Sequence, residues 1–126
     1  MQPLKQVSPS HHSAATELAQ SGLSQRIMVD ASHANSGKKP ENQPLVIADV
    51  ARQISGGEHR LIGVMIESNL VAGRQDVVPG TTLTYGQSIT DGCIDWATTV
   101  PALTLLADAV TARRHAQACE FRERPA

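Results

Sequence analysis

Aromatic side chains are almost absent from this sequence, which has one Phe, one Tyr and one Trp in 126 residues. Hydrophobic residues nevertheless make up 40% of the chain, so its core must consist of Val, Ile, Leu and Ala. Such a core is typical of a parallel sheet covered by helices and unusual for an antiparallel sandwich. The composition therefore predicts an α/β fold.

Other shortages limit where the protein works and what it binds. Two cysteines without a CxxC pair are too few for a disulfide scaffold and favour a reducing compartment. No apolar run approaches the ~18 residues that a membrane span needs, and the N-terminal residues lack the apolar middle of a secretory signal. A formal net charge of −1 gives no support for binding to nucleic acid or to an anionic membrane. We expect a cytoplasmic protein with neither partner.

Apolar periodicity predicts a helix, a strand, a second helix and a second strand, in that order. The strands cover 26–31 and 61–66, which are short apolar runs. The first helix covers 11–20, and the second starts near residue 44 and ends at Gly56–Gly57. The second helix has apolar residues at i, i+3, i+4 and i+7, namely Ile47, Val50, Ala51 and Ile54.

A long loop and a last helix follow the second strand. The loop covers 68–85, a length that is usually functional inside a compact domain. The last helix has Thr98 or Thr99 as its cap and Pro101 in its first turn. Its expected buried face repeats the spacing of the second helix, with Leu103, Leu106, Ala107 and Val110. Because two parallel strands leave unpaired edges, we expect an incomplete sheet.

Three ionisable residues follow the apolar or β-branched stretches. His33 follows the first predicted strand, Glu67 follows the second, and Asp91 follows residues 86–90. If these stretches end at one rim of a parallel α/β fold, the three side chains meet where such folds keep their active sites. One imidazole with two carboxylates suits a divalent metal of the Mn, Fe, Co or Zn class. Taken singly, each residue would more often be an ordinary surface group.

Four sequence blocks carry a resemblance to a known enzyme family. They are Asp30-Ala31-Ser32-His33-Ala34-Asn35-Ser36, Gly56-Gly57-Glu58, Ile62-Gly63-Val64-Met65-Ile66-Glu67-Ser68-Asn69-Leu70 and Tyr85-Gly86-Gln87-Ser88-Ile89-Thr90-Asp91-Gly92-Cys93-Ile94. In this order they resemble the C-terminal third of the bacterial and fungal type of 3-deoxy-D-arabino-heptulosonate 7-phosphate (DAHP) synthase.

The resemblance implies the C-terminal part of a (β/α)8 TIM barrel. Such a barrel needs about 250 residues, so a strand-helix-strand-helix chain of 126 residues would be incomplete by itself. We accordingly divide the chain into a disordered lead-in (1–10), a C-terminal segment of the synthase barrel (11–116) and a flexible tail (117–126).

The resemblance also implies a reaction and its metal ligands. DAHP synthases condense phosphoenolpyruvate with erythrose 4-phosphate at a divalent metal, the first step of the shikimate pathway to the aromatic amino acids. By their motifs, His33, Glu67 and Asp91 match the catalytic residues and three of the four metal ligands. The fourth ligand is a Cys in an upstream block that this chain does not contain, and Cys93 does not match it.

Polar neighbours of these residues have candidate roles of their own. Asp30 and Ser32 are candidates for orienting His33. Lys38 and Lys39 lie in the loop after His33 and carry charge that would neutralise a phosphate. The neighbouring histidines at 11 and 12 are interpreted as an accident of the helix start.

Two functions remain open at this point. The first is a metal-dependent transferase, to which this chain contributes the C-terminal segment. The second is a truncated, non-catalytic fragment that is inactive without the missing N-terminal barrel. For the isolated chain we expect no activity, because three ligands and two strands do not form a closed active site. The partners expected for the complete enzyme are its two substrates, and a complementary N-terminal segment or a second copy of the chain would complete the fold.

Overall fold

The computed structural model describes the chain from residue 7 to residue 122, with side chains from 11 to 119. The helices and strands of this part are α1 (Val7–Gln20), β1 (Ile27–Asp30), α2 (Gln43–Ser55), β2 (Leu61–Met65), β3 (Val71–Arg74), β4 (Gln87–Ser88) and α3 (Trp96–Arg122). A single 3-10 turn at Pro40–Asn42 leads into α2. The predicted order is confirmed, and the predicted long loop additionally contains β3.

The first two strands form a parallel pair connected by α2. Ile27 lies opposite Leu61, and Asp30 lies opposite Met65. Because both strands run in the same direction, the residues that follow Asp30 and Met65 leave the sheet side by side, at the carboxyl ends of the strands. This register brings the two segments that carry His33 and Glu67 side by side.

The core lies between this strand pair, α2 and α3. All four apolar residues predicted for the face of α2 are buried, and Ile47 and Val50 are 0% exposed. They pack with Val29 and Leu61 from the strands and with residues of α3. The helical periodicity of α2 therefore predicted its buried face correctly.

The outer helices extend further than the sequence predicted. Helix α1 begins at Val7, four residues before the predicted start. Helix α3 continues to Arg122, through the first part of the predicted tail. The other residues of the predicted lead-in and tail, 1–6 and 123–126, lie outside the described residues.

The start of α3 differs from the prediction. Asp95 caps the helix, because its Oδ1 accepts the backbone N–H of Thr98 at 2.8 Å, and the helix begins at Trp96. The predicted caps Thr98 and Thr99 therefore lie inside the first turn. Pro101 lies in the second turn, where its ring removes one backbone hydrogen bond from the helix.

The buried face of α3 also differs from the prediction. Ala102 and Ala109 are buried, and Leu106 and Val110 pack partly buried against the core. Leu103 is 47% exposed instead. Two alanines make this face narrow and smooth, which allows α3 to lie close against α2. The packed positions 102, 106, 109 and 110 are spaced i, i+4, i+7 and i+8, and Ala107, which was also predicted to be buried, is exposed.

Among the described residues, no third strand pairs with the outer edge of β1 or of β2. Strands β1 and β2 form one two-stranded sheet and β3 and β4 another, so residues 7–122 do not form a closed barrel. Met28 on β1 is 66% exposed and Ile62 on β2 is 60% exposed. The α/β class and the incomplete sheet therefore agree with the expectation. No helix in the described part of the chain is long and apolar enough to cross a membrane.

Candidate metal centre

The turn that presents His33 is built from its own residues. Asp30 ends β1, and its Oδ1 accepts the backbone N–H groups of Ser32 at 2.8 Å and of His33 at 3.1 Å. The side-chain amide of Asn35 donates to the backbone carbonyl of Asp30 at 2.7 Å. These bonds turn the chain immediately after the strand, since an Asp side chain readily caps the amides that follow it.

The imidazole of His33 is oriented by the same carboxylate. Nδ1 of His33 lies 2.8 Å from Oδ2 of Asp30, and because an ionised carboxylate only accepts, Nδ1 carries the proton. The lone pair of Nε2 is therefore left for another partner. The hydrogen bond to Asp30 and its negative charge raise the pKa of His33 above its usual value.

The carboxylate of Asp30 stays ionised in this arrangement. Partial burial acts to raise the pKa of Asp30, but the hydrogen bonds from His33 and from the backbone of Ser32 outweigh it and lower the pKa below its usual value. Asp30 therefore keeps its negative charge and the bond that fixes the ring of His33.

The carboxylate of Glu67 approaches the ring of His33 from the end of the neighbouring strand β2. It lies two residues beyond the end of β2, and its Oε1 is 3.9 Å from Nε2 of His33. The hydroxyl of Ser32 donates to the other carboxylate oxygen, Oε2. The backbone N–H of Glu67 donates to Oε1 of Gln43 at 2.9 Å, and Nε2 of Gln43 donates to the carbonyl of Glu67 at 3.0 Å.

Asp91 is held near the site by backbone hydrogen bonds between the segment that follows it and residues 67–69. The N–H of Ile94 donates to the carbonyl of Glu67 at 3.0 Å, and the N–H of Asn69 donates to the carbonyl of Ile94, also at 3.0 Å. These two bonds tie the segment that follows Asp91 to the segment that follows β2. One ligand atom each from His33, Glu67 and Asp91 then lies within 4.8 Å of the other two.

The donor set of this group fits a divalent cation. One imidazole nitrogen and two carboxylate oxygens suit the Mn, Fe, Co and Zn class. The three residues line a cavity of about 120 Å³ together with Ser32 and Lys38, which has room for an ion and a few waters at ~30 Å³ each. The convergence expected from the sequence is present, and metal ligation by these residues is a prediction.

Cys93 takes no part in this group. Its Sγ lies 3.6 Å from the backbone carbonyl of Asp91. Burial raises the pKa of the Cys93 thiol, and the nearby acidic groups raise it further, so it is not a reactive thiolate. That Cys93 does not replace the missing cysteine ligand stays a prediction.

A second group of possible ligand atoms consists of His11, His12 and Glu58. Arg60 donates to the carboxylate of Glu58 from Nε at 2.8 Å and also from Nη2, and this hydrogen bonding lowers the pKa of Glu58 far below its usual value. The carboxylate is thus already neutralised by a fixed cation, which disfavours a metal ion. His11 is buried and lies 3.1 Å from Glu58, so it fastens α1 to the turn before β2. The interpretation of His11 as an accident was wrong.

Gln43 is a residue of this site that the sequence does not single out. A polar residue directly before Pro44 and a helix has the pattern of an ordinary surface position, so no local signal singles it out. Its side chain is nevertheless completely buried and bonds both backbone groups of Glu67. Asp30 and Ser32 were both predicted to orient His33. Asp30 does bond the ring of His33, whereas the side chain of Ser32 bonds Glu67.

Comparison with known proteins gives consistent matches. Residues 6–104 match the family model described as the DAHP synthetase I family. The Phe-sensitive phospho-2-dehydro-3-deoxyheptonate aldolase of Escherichia coli strain K12 is 53% identical over 97 residues, which are 77% of this chain and 28% of that protein. The tyrosine-inhibited phospho-2-dehydro-3-deoxyheptonate aldolase of Schizosaccharomyces pombe is 48% identical over 114 residues, covering 86% of this chain and 31% of its own length.

A solved structure matches as well. The phospho-2-dehydro-3-deoxyheptonate aldolase of Francisella tularensis SCHU S4 has a TM-score of 0.76 and 44% sequence identity, over 81% of this chain and 29% of that one. The chain therefore spans between a quarter and a third of the length of these relatives.

Proposed function

Because this chain belongs to the DAHP synthetase I family, we propose that it provides the C-terminal part of a (β/α)8 TIM barrel and three metal ligands of a 3-deoxy-7-phosphoheptulonate synthase. The pairing of β1 and β2 through α2 is the repeating unit of such a barrel. The names of the relatives describe aldolases of a phosphorylated seven-carbon sugar acid, in agreement with the proposed reaction.

One observation carries the proposal. His33, Glu67 and Asp91 come from three separate segments, yet their ligand atoms lie within 4.8 Å of one another. They do so beside the carboxyl ends of β1 and β2, which correspond to the face at which TIM barrels hold their active sites. We infer that these residues bind the divalent metal, with His33 using Nε2.

A bound metal of this class supplies a Lewis acid that polarises an aldehyde carbonyl. The residues of this chain prepare its site. Asp30 keeps the proton of His33 on Nδ1, so that Nε2 stays a ligand. Ser32 holds one oxygen of Glu67 and leaves the other facing His33. Lys38 lines the same cavity and brings positive charge to a phosphorylated substrate. Lys39 is not among the residues that line this cavity.

The proposed partners follow from the reaction and from the open sheet. Phosphoenolpyruvate and erythrose 4-phosphate are the substrates that we infer for the complete enzyme. Met28 and Ile62 leave an exposed apolar face on β1 and β2, which a complementary N-terminal barrel segment would cover, or else a second copy of the chain. We infer a cytoplasmic location, in keeping with the scarcity of cysteine.

Complementation tests this proposal. The purified chain is mixed with the part of the E. coli relative that precedes the matched region, and Mn²⁺-dependent consumption of phosphoenolpyruvate with erythrose 4-phosphate is measured. We expect activity in the mixture and none from either part alone. His33→Ala should abolish the activity, whereas His59→Ala should keep it, since His59 is exposed and lines a different cavity.

Two results would contradict the proposal. Turnover that survives in His33→Ala would remove this residue from the metal site. A mixture that forms a stable complex and binds Mn²⁺ but shows no turnover would favour the alternative, a truncated chain without a catalytic role.

A further inference from the structure

Gln43 continues the hydrogen-bonding pattern of the sheet where β1 ends. The last bond between the two strand segments runs from the N–H of Ala31 to the carbonyl of Met65, at 2.9 Å. Beyond it, the chain after β1 turns away into the loop of His33. On the side of the β2 segment that faces β1, the next hydrogen bonds are made by the side-chain amide of Gln43. Its oxygen accepts the N–H of Glu67, and its nitrogen donates to the carbonyl of Glu67.

This contact is fully buried and uses the whole amide group. Gln43 is 0% exposed, and its oxygen accepts while its nitrogen donates, as a backbone peptide in a neighbouring strand would do. A buried amide without partners would be strongly destabilising. Gln43 accepts the N–H of Glu67, and it shares the carbonyl of Glu67 with the backbone N–H of Ile94.

The anchor of Gln43 is rigid. It is the first residue of α2, whose next two turns bury Val46, Ile47 and Val50 in the core. The position of α2 against the strands therefore constrains the Glu67 backbone, together with the bond from the N–H of Ile94 to the Glu67 carbonyl. The side chain of Glu67 starts from this backbone, and its two oxygens contact Ser32 and face His33.

We propose that Gln43 is a positioning residue of the metal centre, which fixes the Glu67 backbone so that its carboxylate lies beside His33 and Asp91. This inference rests on the proposed function for the metal itself. It adds a residue that contacts neither metal nor substrate and acts only through Glu67. A purely structural role would predict lower stability upon mutation and unchanged metal affinity in the folded protein.

A matched pair of variants separates these two roles. Gln43→Met keeps the approximate length and volume of the side chain and removes the amide. Gln53→Met makes the same change at another buried glutamine of α2, whose amide bonds Asp49 instead. Mn²⁺ affinity of the 126-residue chain is measured from the electron paramagnetic resonance signal of free Mn²⁺, and the unfolding midpoint is measured by circular dichroism without metal.

We expect Gln43→Met to bind Mn²⁺ about 10- to 100-fold more weakly, the range typical for groups that orient metal ligands. Gln53→Met should stay within about twofold of wild type in affinity, even where both variants lose similar stability. Gln43→Asn keeps an amide, but its side chain is one methylene too short to reach Glu67. It should weaken binding in the same way, and it replaces Gln43→Met if that variant does not fold.

A metal-free measurement separates failure of this inference from failure of the proposed function. Nuclear magnetic resonance can follow hydrogen exchange of the Glu67 amide and the contact between the Ser32 and Glu67 side chains. Absence of Mn²⁺ binding by wild type, both alone and in the mixture with the complementary N-terminal segment, would refute the metal centre. Loss of the Ser32 contact in Gln43→Met, but not in Gln53→Met, would still support positioning by Gln43. Unchanged Mn²⁺ affinity together with an unchanged Ser32 contact in Gln43→Met would overturn it, and so would an equal loss in Gln53→Met.

Discussion

Replacing Asp30 with Asn should weaken metal binding by changing the tautomer of His33. In the native turn, Oδ1 of Asp30 accepts two backbone N–H groups and Oδ2 accepts from Nδ1 of His33. Asn is nearly isosteric and keeps one oxygen for the backbone groups. Its NH₂ group then faces Nδ1, and two donors oppose each other unless the ring proton moves to Nε2.

The size of the effect follows from this geometry. A ring that is protonated on Nε2 cannot ligate through Nε2, so binding must overcome the new tautomer preference. Groups that orient ligands in this way typically contribute 10- to 100-fold in affinity. Because the side chain of His33 is 48% exposed and water can replace part of the lost bond, we expect about tenfold, the lower end of that range.

The assay measures affinity and tautomer on the same protein. Mn²⁺ or Co²⁺ is titrated into the 126-residue chain and into Asp30→Asn, and ¹⁵N resonances of the imidazole report which nitrogen carries the proton. Asp108→Asn is the control, because Asp108 is an exposed carboxylate on α3. If Asp30→Asn binds metal as wild type does and His33 still carries its proton on Nδ1, the carboxylate of Asp30 does not set the tautomer of His33.

Three further predictions follow from the same contacts. The bond to Asp30 raises the pKa of His33 above its usual value, and protons compete with metal below that pKa, so Mn²⁺ affinity should begin to fall at a higher pH than an ordinary histidine ligand would give; in a pH titration, loss of affinity only at or below the pH expected for an ordinary histidine would contradict this. Ser32→Ala removes the hydroxyl that bonds Glu67 and should weaken Mn²⁺ binding about tenfold, whereas Ser32→Thr should retain most of it. Ile47→Ala should lower the free energy of unfolding by about 2–5 kcal/mol, since Ile47 is 0% exposed; Leu45→Ala, at an exposed position of the same helix, should change it by less than about 0.5 kcal/mol in a urea titration.

The sequence predicted those parts of the fold that depend on local periodicity. Helix α2 shows this, because its apolar residues repeat at helical spacing and all four predicted ones are buried. The two short apolar runs became the parallel strands β1 and β2. Since parallel strands end at one edge, the approach of His33 to Glu67 followed from the same reasoning.

Features that depend on distant partners were not predictable in this way. The role of Gln43 depends on Glu67, 24 residues further along the chain, and a single sequence does not reveal such a pair. Leu103 fits the helical spacing as well as Ala102 does, and only the close approach of α2 and α3 selects the alanine face. The cap at Asp95 was missed because the neighbouring threonines also belong to the residue types favoured at helix caps.

The open strand pair has a consequence for handling the protein. In the described part of the chain, β1 and β2 pair only with each other, so each has one edge of free N–H and C=O groups beside an exposed Met28 or Ile62. Such an edge accepts any extended peptide that presents itself, including the same edge of another molecule. At high concentration the chain should therefore aggregate through its strands, and a designed partner strand that occupies this edge should keep it dispersed.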